Sequence, residues 1–89
     1  MAKTVEQYRF QITPNFRLSM RKGAKVLLVE WERDTPTLWA EVDENASVED
    51  VKFTIVMTGH ILWQENLEYC GTLRKDGYAW HIYRETERN

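Results

Sequence analysis

Apolar and polar residues alternate in at least five segments of this 89-residue chain. A period of two is typical of β-strands that have one buried face. The segment that starts at Tyr8 shows the pattern, with Tyr8, Phe10 and Ile12 in one phase and Arg9 and Gln11 in the other. No segment has the period of a long helix. The alternation therefore predicts an all-β fold, a single small antiparallel sandwich or barrel of six to seven strands.

The dipeptide Asp76-Gly77 is the strongest turn signal in the chain, because a two-residue type I′ turn needs positive φ at both central positions. A turn there places Gly71 opposite Ile82 and Tyr69 opposite Arg84, with Tyr69 in the phase that faces the core. Gly71 has no side chain, so it leaves room for another backbone or ring to approach.

A second hairpin is predicted around residue 35. The residues from Val26 to Val29 are apolar in both phases, as in a strand that is covered on both faces. We therefore expect this run in the middle of the sheet. Asp34, Thr35 and Pro36 then form a turn signal, and the alternation that resumes after them predicts the partner strand.

The chain is predicted to be one β domain over residues 1–89. No linker, internal repeat or low-complexity stretch divides it. Residues 1–7 and 85–89 are expected to be frayed termini, since chain ends lose order unless they are tied down.

Charge and cysteine content exclude several classes of protein. Twelve Lys and Arg against fourteen Asp and Glu give a formal net charge of -2, without the basic excess that general nucleic-acid binding needs. Cys70 is the only cysteine, so no intrachain disulfide forms and a reducing compartment is expected. No apolar run reaches the roughly 18 residues that span a bilayer, so no membrane association is expected.

The two histidines, His60 and His81, are the first candidates for chemistry, because imidazole serves both acid–base catalysis and metal binding. The HExxH and CxxC spacings of local metal motifs are absent. Cys70 lies close to His81 in the predicted hairpin, but no oxyanion feature accompanies it. We expect His81 to be a strand-surface residue bonded to Thr72, and we expect no enzyme activity, no metal ion and no cofactor.

Large aromatic side chains outside the predicted core are the most informative feature. Trp39 lies in the polar phase of its strand, Trp63 lies in an apolar-rich loop, and Tyr83 shares a phase with His81. Such rings are enriched where proteins bind partners or ligands. The alternative is that Trp39 covers a sheet face and that Trp63 folds back as a lid. The predicted binding surface consists of Trp39, His60, Trp63, His81 and Tyr83, with Arg84 available for an anionic group.

Short motifs in a particular order and spacing connect the chain to known sequences. They occupy residues 23–27, 38–43, 53–55, 58–61 and 69–72, and the last strand through His81 and Tyr83. In this order the chain resembles a family of small uncharacterised proteins of bacteriophages, prophages and actinobacteria, from about Tyr8 to Tyr83. The resemblance implies a phage context and a location in the host cytoplasm, and it supplies no activity to carry over.

We therefore expect a non-catalytic, phage-type binding protein of the anti-defence kind, which blocks a host protein through a surface rich in aromatics. One alternative is an oligomeric sponge that sequesters a nucleotide signal, and a second is a phage structural or accessory protein. The acidic balance favours a protein partner by electrostatic complementarity. Unprotected strand edges favour self-association, so a homodimer is expected.

Overall fold

The computed structural model describes residues 2–86, and all regular structure in these residues is β-strand. The predicted all-β fold of six to seven strands is confirmed. No helix within residues 2–86 has the length and apolar character needed to cross a membrane. The strands are β1 (Lys3–Arg9), β2 (Asn15–Arg21), β3 (Lys25–Glu32), β4 (Thr35–Asp43), β5 (Val48–Met57), β6 (Leu67–Lys75) and β7 (Tyr78–Glu85).

The strands form two antiparallel sheets that pack face to face as a sandwich. The three-stranded sheet has the order β1-β4-β3, and the four-stranded sheet has the order β2-β5-β7-β6. The sheets do not close into a barrel, so the sandwich is the one of the two predicted architectures that this chain adopts. The edge strands β3 and β6 lie next to each other where the sheets meet.

The core lies between the sheets and is made by the apolar phase of each strand. In β4, Leu38 and Val42 are fully buried, as the alternation predicts. Three phenylalanine rings from neighbouring segments form a near-parallel stack. The centroids of Phe10 and Phe16 are 4.6 Å apart, and those of Phe16 and Phe53 are 4.9 Å apart. The stack ties the segment after β1 to the four-stranded sheet.

Gly71 lies where β6 passes closest to β3. A Cβ atom at this position would lie 2.9 Å from the Cβ atom of Val29, which is closer than side-chain carbons approach in proteins. A close approach at Gly71 is therefore confirmed, but the approaching group is the Val29 side chain and not the predicted backbone or ring. The missing side chain of the glycine lets the two sheets meet at this corner.

Both predicted hairpins form, but one turn lies earlier than predicted. Asp76 and Gly77 have φ values of 52° and 83°, as a type I′ turn requires. In the β3–β4 hairpin the left-handed residues are Arg33 and Asp34, with φ values of 48° and 67°. Pro36, predicted to be part of the turn, lies within β4. Arg33 and Asp34 alone reverse the chain direction, so β4 begins at the next residue, Thr35.

A bulge in β6 changes the predicted register. Pairing with β7 follows the prediction from the turn as far as Gly71, but Cys70 is an extra residue without a partner. Beyond it, Tyr69 pairs with Tyr83 and not with Arg84. A slip of one residue moves a side chain to the other face of a sheet. Tyr69, predicted to face the core, therefore points outward and is 57% exposed.

β3 is an edge strand, so its predicted place in the middle of the sheet is wrong. The central strand of that sheet is β4, which pairs with β1 on one side and with β3 on the other. Leu27 and Leu28 in β3 are exposed on the outer face. Among residues 2–86, this apolar run is covered on its inner face alone.

The predicted fraying of the N-terminus is wrong for residues 3–7, because β1 pairs with β4 along its whole length. At the other end, β7 extends to Glu85, and the N–H of Thr86 donates to the carbonyl oxygen of Asn66 at 2.8 Å. The prediction for residue 1 and for residues 87–89 lies outside the described residues.

Candidate functional site

Residues 58–66 join β5 to β6 and form the longest connection within residues 2–86. Both strands are antiparallel to β7, which lies between them, so this connection travels back along the length of the sheet. Thr58 at its start lies beside His81 of β7, and Asn66 at its end lies beside Thr86. We call residues 58–66 the crossover loop.

Asn15 fastens the crossover loop to the outer face of the four-stranded sheet. Its Oδ1 atom accepts hydrogen bonds from Thr54 Oγ1 at 3.2 Å and from Gln64 Nε2 at 3.4 Å. Thr54 points away from the core, yet it is only 4% exposed. At the end of the loop, the carbonyl oxygen of Asn66 accepts hydrogen bonds from both the backbone N–H and the Oγ1 hydroxyl of Thr86. The second half of the loop is thus held in place at two points.

Apolar side chains of the crossover loop point into solvent beside these anchors. Trp63, the neighbour of Gln64, is 79% exposed, and Ile61 is 65% exposed. Trp63 therefore lies in a loop, as predicted, and it does not fold back as a lid. His60 is exposed as well, and its backbone N–H donates to the carbonyl oxygen of Met57 at 3.0 Å.

His81 is the centre of a chain of hydrogen bonds on the outer face of the same sheet. Its Nε2 atom is 2.8 Å from Thr58 Oγ1, and its Nδ1 atom is 3.0 Å from Thr72 Oγ1. Thr72 Oγ1 is also hydrogen-bonded to the hydroxyl of Tyr69. The predicted contact between His81 and Thr72 is confirmed. Because a hydroxyl can donate or accept, this arrangement fits either neutral tautomer of the imidazole.

Tyr69 and Tyr83 pack edge to face beside this chain, with ring centroids 5.5 Å apart and ring planes at 64°. The bulge at Cys70 brings the two rings to the same side of the sheet. Tyr83 is half-buried, and Tyr69 presents most of its ring to solvent. We call the surface made by the crossover loop and these strands the aromatic face. It consists of His60, Ile61, Trp63, Tyr69, His81 and Tyr83.

Trp39 does not belong to the aromatic face. Its neighbours in β4, Leu38 and Ala40, are fully buried in the core, so Trp39 points to the outer side of the three-stranded sheet. That side is opposite to the aromatic face. The six predicted site residues therefore do not form one surface, because Trp39 lies on the outer side of the other sheet. A binding role for each of them stays a prediction.

Arg84 is also separate from the aromatic face. It lies in the inward phase of β7, and its guanidinium donates to the carbonyl oxygen of Ala24 and to Glu68 Oε1, the latter at 2.6 Å. Its side chain is only 20% exposed. The guanidinium thus links the turn before β3 to β6. Both of its terminal nitrogens are already hydrogen-bonded.

Two residues of the aromatic face, Ile61 and Tyr69, were not predicted as site residues. Ile61 had a signal in the sequence, because it lies in an apolar-rich loop that lacks alternation. Tyr69 had none, since its exposure depends on the bulge at Cys70. A bulge of this kind carries no residue type that marks it in advance.

A groove of about 360 Å³ continues the aromatic face around the end of the sheet. Its walls are mostly apolar, and the crossover loop forms one side. Pockets with such walls bind apolar groups of a partner or ligand. The lining includes Ile12, Pro14, Met57, His60, Ile61 and Trp80.

The nucleophile candidate Cys70 is held in its unreactive form. Burial raises the pKa of the Cys70 thiol to about 11, so the protonated form dominates at neutral pH. Its sulfur lies 3.6 Å from the carbonyl oxygen of Glu68. Within residues 2–86, no group of three His, Cys, Asp or Glu side chains is arranged to hold a metal ion. What the aromatic face offers is ring surface and hydrogen bonds.

Fold and surface together define a small antiparallel β sandwich with an exposed aromatic face on its four-stranded sheet. A family described as a domain of unknown function (DUF7352) matches residues 1–89, and the chain belongs to that family. No curated protein and no solved structure matches the chain.

Proposed function

We propose that this protein is a non-catalytic binding module that engages a protein partner through the aromatic face. The observation that carries the proposal is Trp63, whose side chain is exposed while its neighbour Gln64 is hydrogen-bonded to Asn15. A ring presented from a fastened loop loses little conformational freedom on binding. Exposed Trp and Tyr side chains of this kind are typical anchors of protein interfaces.

The other rings of the aromatic face support a protein partner over a phosphate-rich one. Tyr69 and Tyr83 combine ring surface with hydroxyl groups, and this mixture suits a surface that is both apolar and polar. The chain carries a net charge of -2, which opposes binding to a polyanion and complements a basic protein surface.

The proposal extends to a host protein in the cytoplasm of a bacterium, blocked by a phage protein of the anti-defence kind. Its support is the order of short motifs from residue 23 to residue 83, which resembles small phage and prophage proteins. Blocking needs no catalytic group, since a module that occupies a functional surface prevents others from using it. The protonated Cys70 thiol and the hydroxyl-bonded His81 are in keeping with that role.

One observation favours the nucleotide sponge as a second candidate. A cleft of about 280 Å³ at the opposite end of the sandwich from the groove is lined by Arg21, Lys22 and Arg84. Cationic side chains bind phosphate groups well. However, Glu49 and Glu85 line the same cleft, and both arginines already donate to backbone carbonyl oxygens. The two carboxylates offset much of the positive charge in the cleft, so the cleft suits a nucleotide poorly. We therefore favour the protein partner at the aromatic face.

Capture from a bacterial lysate followed by native mass spectrometry tests both candidates. The wild-type chain should retain a protein, and Trp63→Ala should bind that protein about 30-fold more weakly, which corresponds to about 2 kcal/mol. Tyr78→Ala is the matched control, because Tyr78 is an exposed ring in β7, next to the hairpin tip. Equal binding by wild type and Trp63→Ala would overturn the proposal. Retention of a nucleotide in place of a protein would favour the sponge.

A further inference from the structure

The outer face of the three-stranded sheet carries apolar side chains from all three strands. Val5 in β1 is 55% exposed, and Leu27 and Leu28 in β3 are 49% and 47% exposed. Trp39 lies between them in β4, paired with Gln7 on one side and with Leu28 on the other. We call Val5, Leu27, Leu28 and Trp39 the aliphatic face.

A bulge in β3 concentrates apolar surface on this side. Val26 pairs with Ala40 and Leu28 pairs with Trp39, so Leu27 is the extra residue, and it is as exposed as Leu28. A strand that is apolar in both phases is typical of a sheet covered on both faces. Residues 2–86 cover the inner face of β3 and leave its outer face exposed. The sequence of β3 is thus suited to an additional layer.

Polar contacts border the aliphatic face at both ends. The Nε2 atom of Gln7 donates to Glu32 Oε1 at 2.6 Å, a bridge that spans β4 from β1 to β3. Thr37 on the same side of β4 is fully buried, in keeping with cover by this bridge. At the other end, Lys3 Nζ lies 3.7 Å from Glu41 Oε1. An apolar centre with a polar rim is the usual anatomy of a protein interface.

We propose that the aliphatic face binds the same face of a second copy of this chain, around a two-fold axis that crosses the strands at the level of Trp39. The argument is the placement of charge in β3. Lys25 pairs with Glu41 and Glu30 pairs with Thr37, which lie two residues to either side of Trp39. Rotation about the axis places the Glu41 end of one β4 strand over the Thr37 end of the other. Lys25 of each copy therefore lies opposite Glu30 of the other copy.

The same axis matches the apolar side chains at the level of Trp39, whereas Val5 of one copy lies opposite Arg9 of the other. It brings Leu28 against Leu28 and Trp39 against Trp39, as an isologous interface requires. A two-fold axis along the strands would place Leu28 against Gln7, which sets an apolar side chain on a polar one. Neither Lys25 nor Glu30 has an ion-pair partner among residues 2–86, so both are available for the second copy.

The area of the three-stranded sheet limits the strength of the proposed dimer interface. Three strands of 7, 8 and 9 residues cover roughly 14 Å by 26 Å, on the order of 400 Å² in projection. A standard interface buries about 800 Å² of accessible surface on each partner. Side chains make the accessible surface larger than the projection, but the aliphatic face still belongs to the small class. We expect a dimer that dissociates on dilution.

Sedimentation velocity over a series of protein concentrations tests the dimer. The wild-type chain should move from one chain mass to twice that mass as the concentration rises. Leu28→Asp should remain a single chain throughout, because the interface would bury an unpaired charge. Lys25→Glu and Glu30→Lys should each weaken association by about tenfold, and the double variant should restore it. Lys52→Glu on the aromatic side of the sandwich is the control and should associate like wild type.

Three results would overturn the proposal. One is a single chain mass for the wild type at every concentration. Another is unchanged association of Leu28→Asp, which would locate the contact elsewhere, for example at the β1 edge. The third is a double charge variant that associates no better than the single ones. The charge variants change only exposed side chains, so they decide the matter even where a Leu28 variant fails to fold. Trp63 lies on the other face, so its variants leave this result unaffected.

Discussion

The aromatic face and the aliphatic face lie on opposite sides of the same sandwich, and the chain covers them differently. The crossover loop lies over the outer side of the four-stranded sheet, where Asn15 and Gln64 hold it, and it forms part of the aromatic face. On the aliphatic side β3 turns directly into β4, and Leu28 stays half exposed. The difference follows from strand order. β7 separates β5 from β6, so their connection crosses a face, whereas adjacent antiparallel strands need only a tight turn. Strand order thus decides which face is left for other molecules.

The largest expected effect comes from breaking the corner where the two sheets meet. Gly71→Val places side-chain atoms where Val29 already lies, and overpacking of this kind costs about 3 kcal/mol of unfolding free energy. Urea unfolding would measure the loss. Lys52→Ala at an exposed position should change the unfolding free energy by less than about 0.5 kcal/mol. A Gly71→Val chain as stable as wild type would contradict the close approach of β3 and β6.

A matched pair of tryptophan variants compares the two faces directly. Trp39 is half-buried between β1 and β3, so Trp39→Ala should lower the unfolding free energy by about 1–2 kcal/mol. Trp63→Ala should lower it by less than about 0.5 kcal/mol, because its ring contributes little to the core. Thermal unfolding of both at one low protein concentration gives the answer. An equal loss of unfolding free energy in the two variants would contradict the different burial of Trp39 and Trp63.

The two hairpin turns give a smaller contrast. Gly77 adopts its positive φ without strain because it has no Cβ atom. Asp34 has a φ of 67°, which is strained for a residue with a side chain. Asp34→Gly should therefore raise the unfolding free energy by up to about 1 kcal/mol. Its exposed ion pair with Lys75, at 3.2 Å, is a minor loss. Gly77→Ala is the inverse control and should destabilise the chain. A less stable Asp34→Gly chain would contradict this account.

The smallest effect is a pH dependence at the bulge beneath the aromatic face. Burial, with a smaller contribution from Glu68, raises the pKa of Cys70 from 9.0 to about 11, against the opposing charge of Arg84. The folded chain thus holds the thiol proton more tightly than the unfolded chain does. This stabilisation is complete below about pH 9 and is lost as the pH rises through about 11. Urea midpoints should fall more with rising pH in wild type than in Cys70→Ala. Parallel falls would contradict the raised pKa.

Local rules account for the parts of the fold that the sequence predicts. Alternation identifies the buried side of β4 through Leu38 and Val42, and the Asp76-Gly77 turn sets the register as far as Gly71. These features depend on neighbours within a strand or a hairpin. The prediction of an all-β sandwich rests on the same local patterns, repeated along the chain.

The candidate site was harder to predict, because its geometry depends on pairings between distant strands. Alternation shows that Trp39 points away from the core, but it does not show which sheet contains β4. The predicted site therefore includes both Trp39 and Trp63, although they lie on opposite sides of the sandwich. The bulge at Cys70 turned Tyr69 outward without any marker in the sequence. The apolar residues in both phases of β3 predict that Leu28 is covered, but among residues 2–86 it is 47% exposed.

The place of β7 between β5 and β6 also sets the order in which the sandwich assembles. The β6–β7 hairpin is local, and hairpins in general form within about 1–10 microseconds. Contacts between β2 and β5 join residues far apart in sequence, such as Asn15 and Thr54, which are 39 positions apart, and they form more slowly. Residues 58–66 have a sheet to lie across only after β7 has docked on β5. A partner that recognises Trp63 in its fastened position would therefore select completed molecules and pass over folding intermediates.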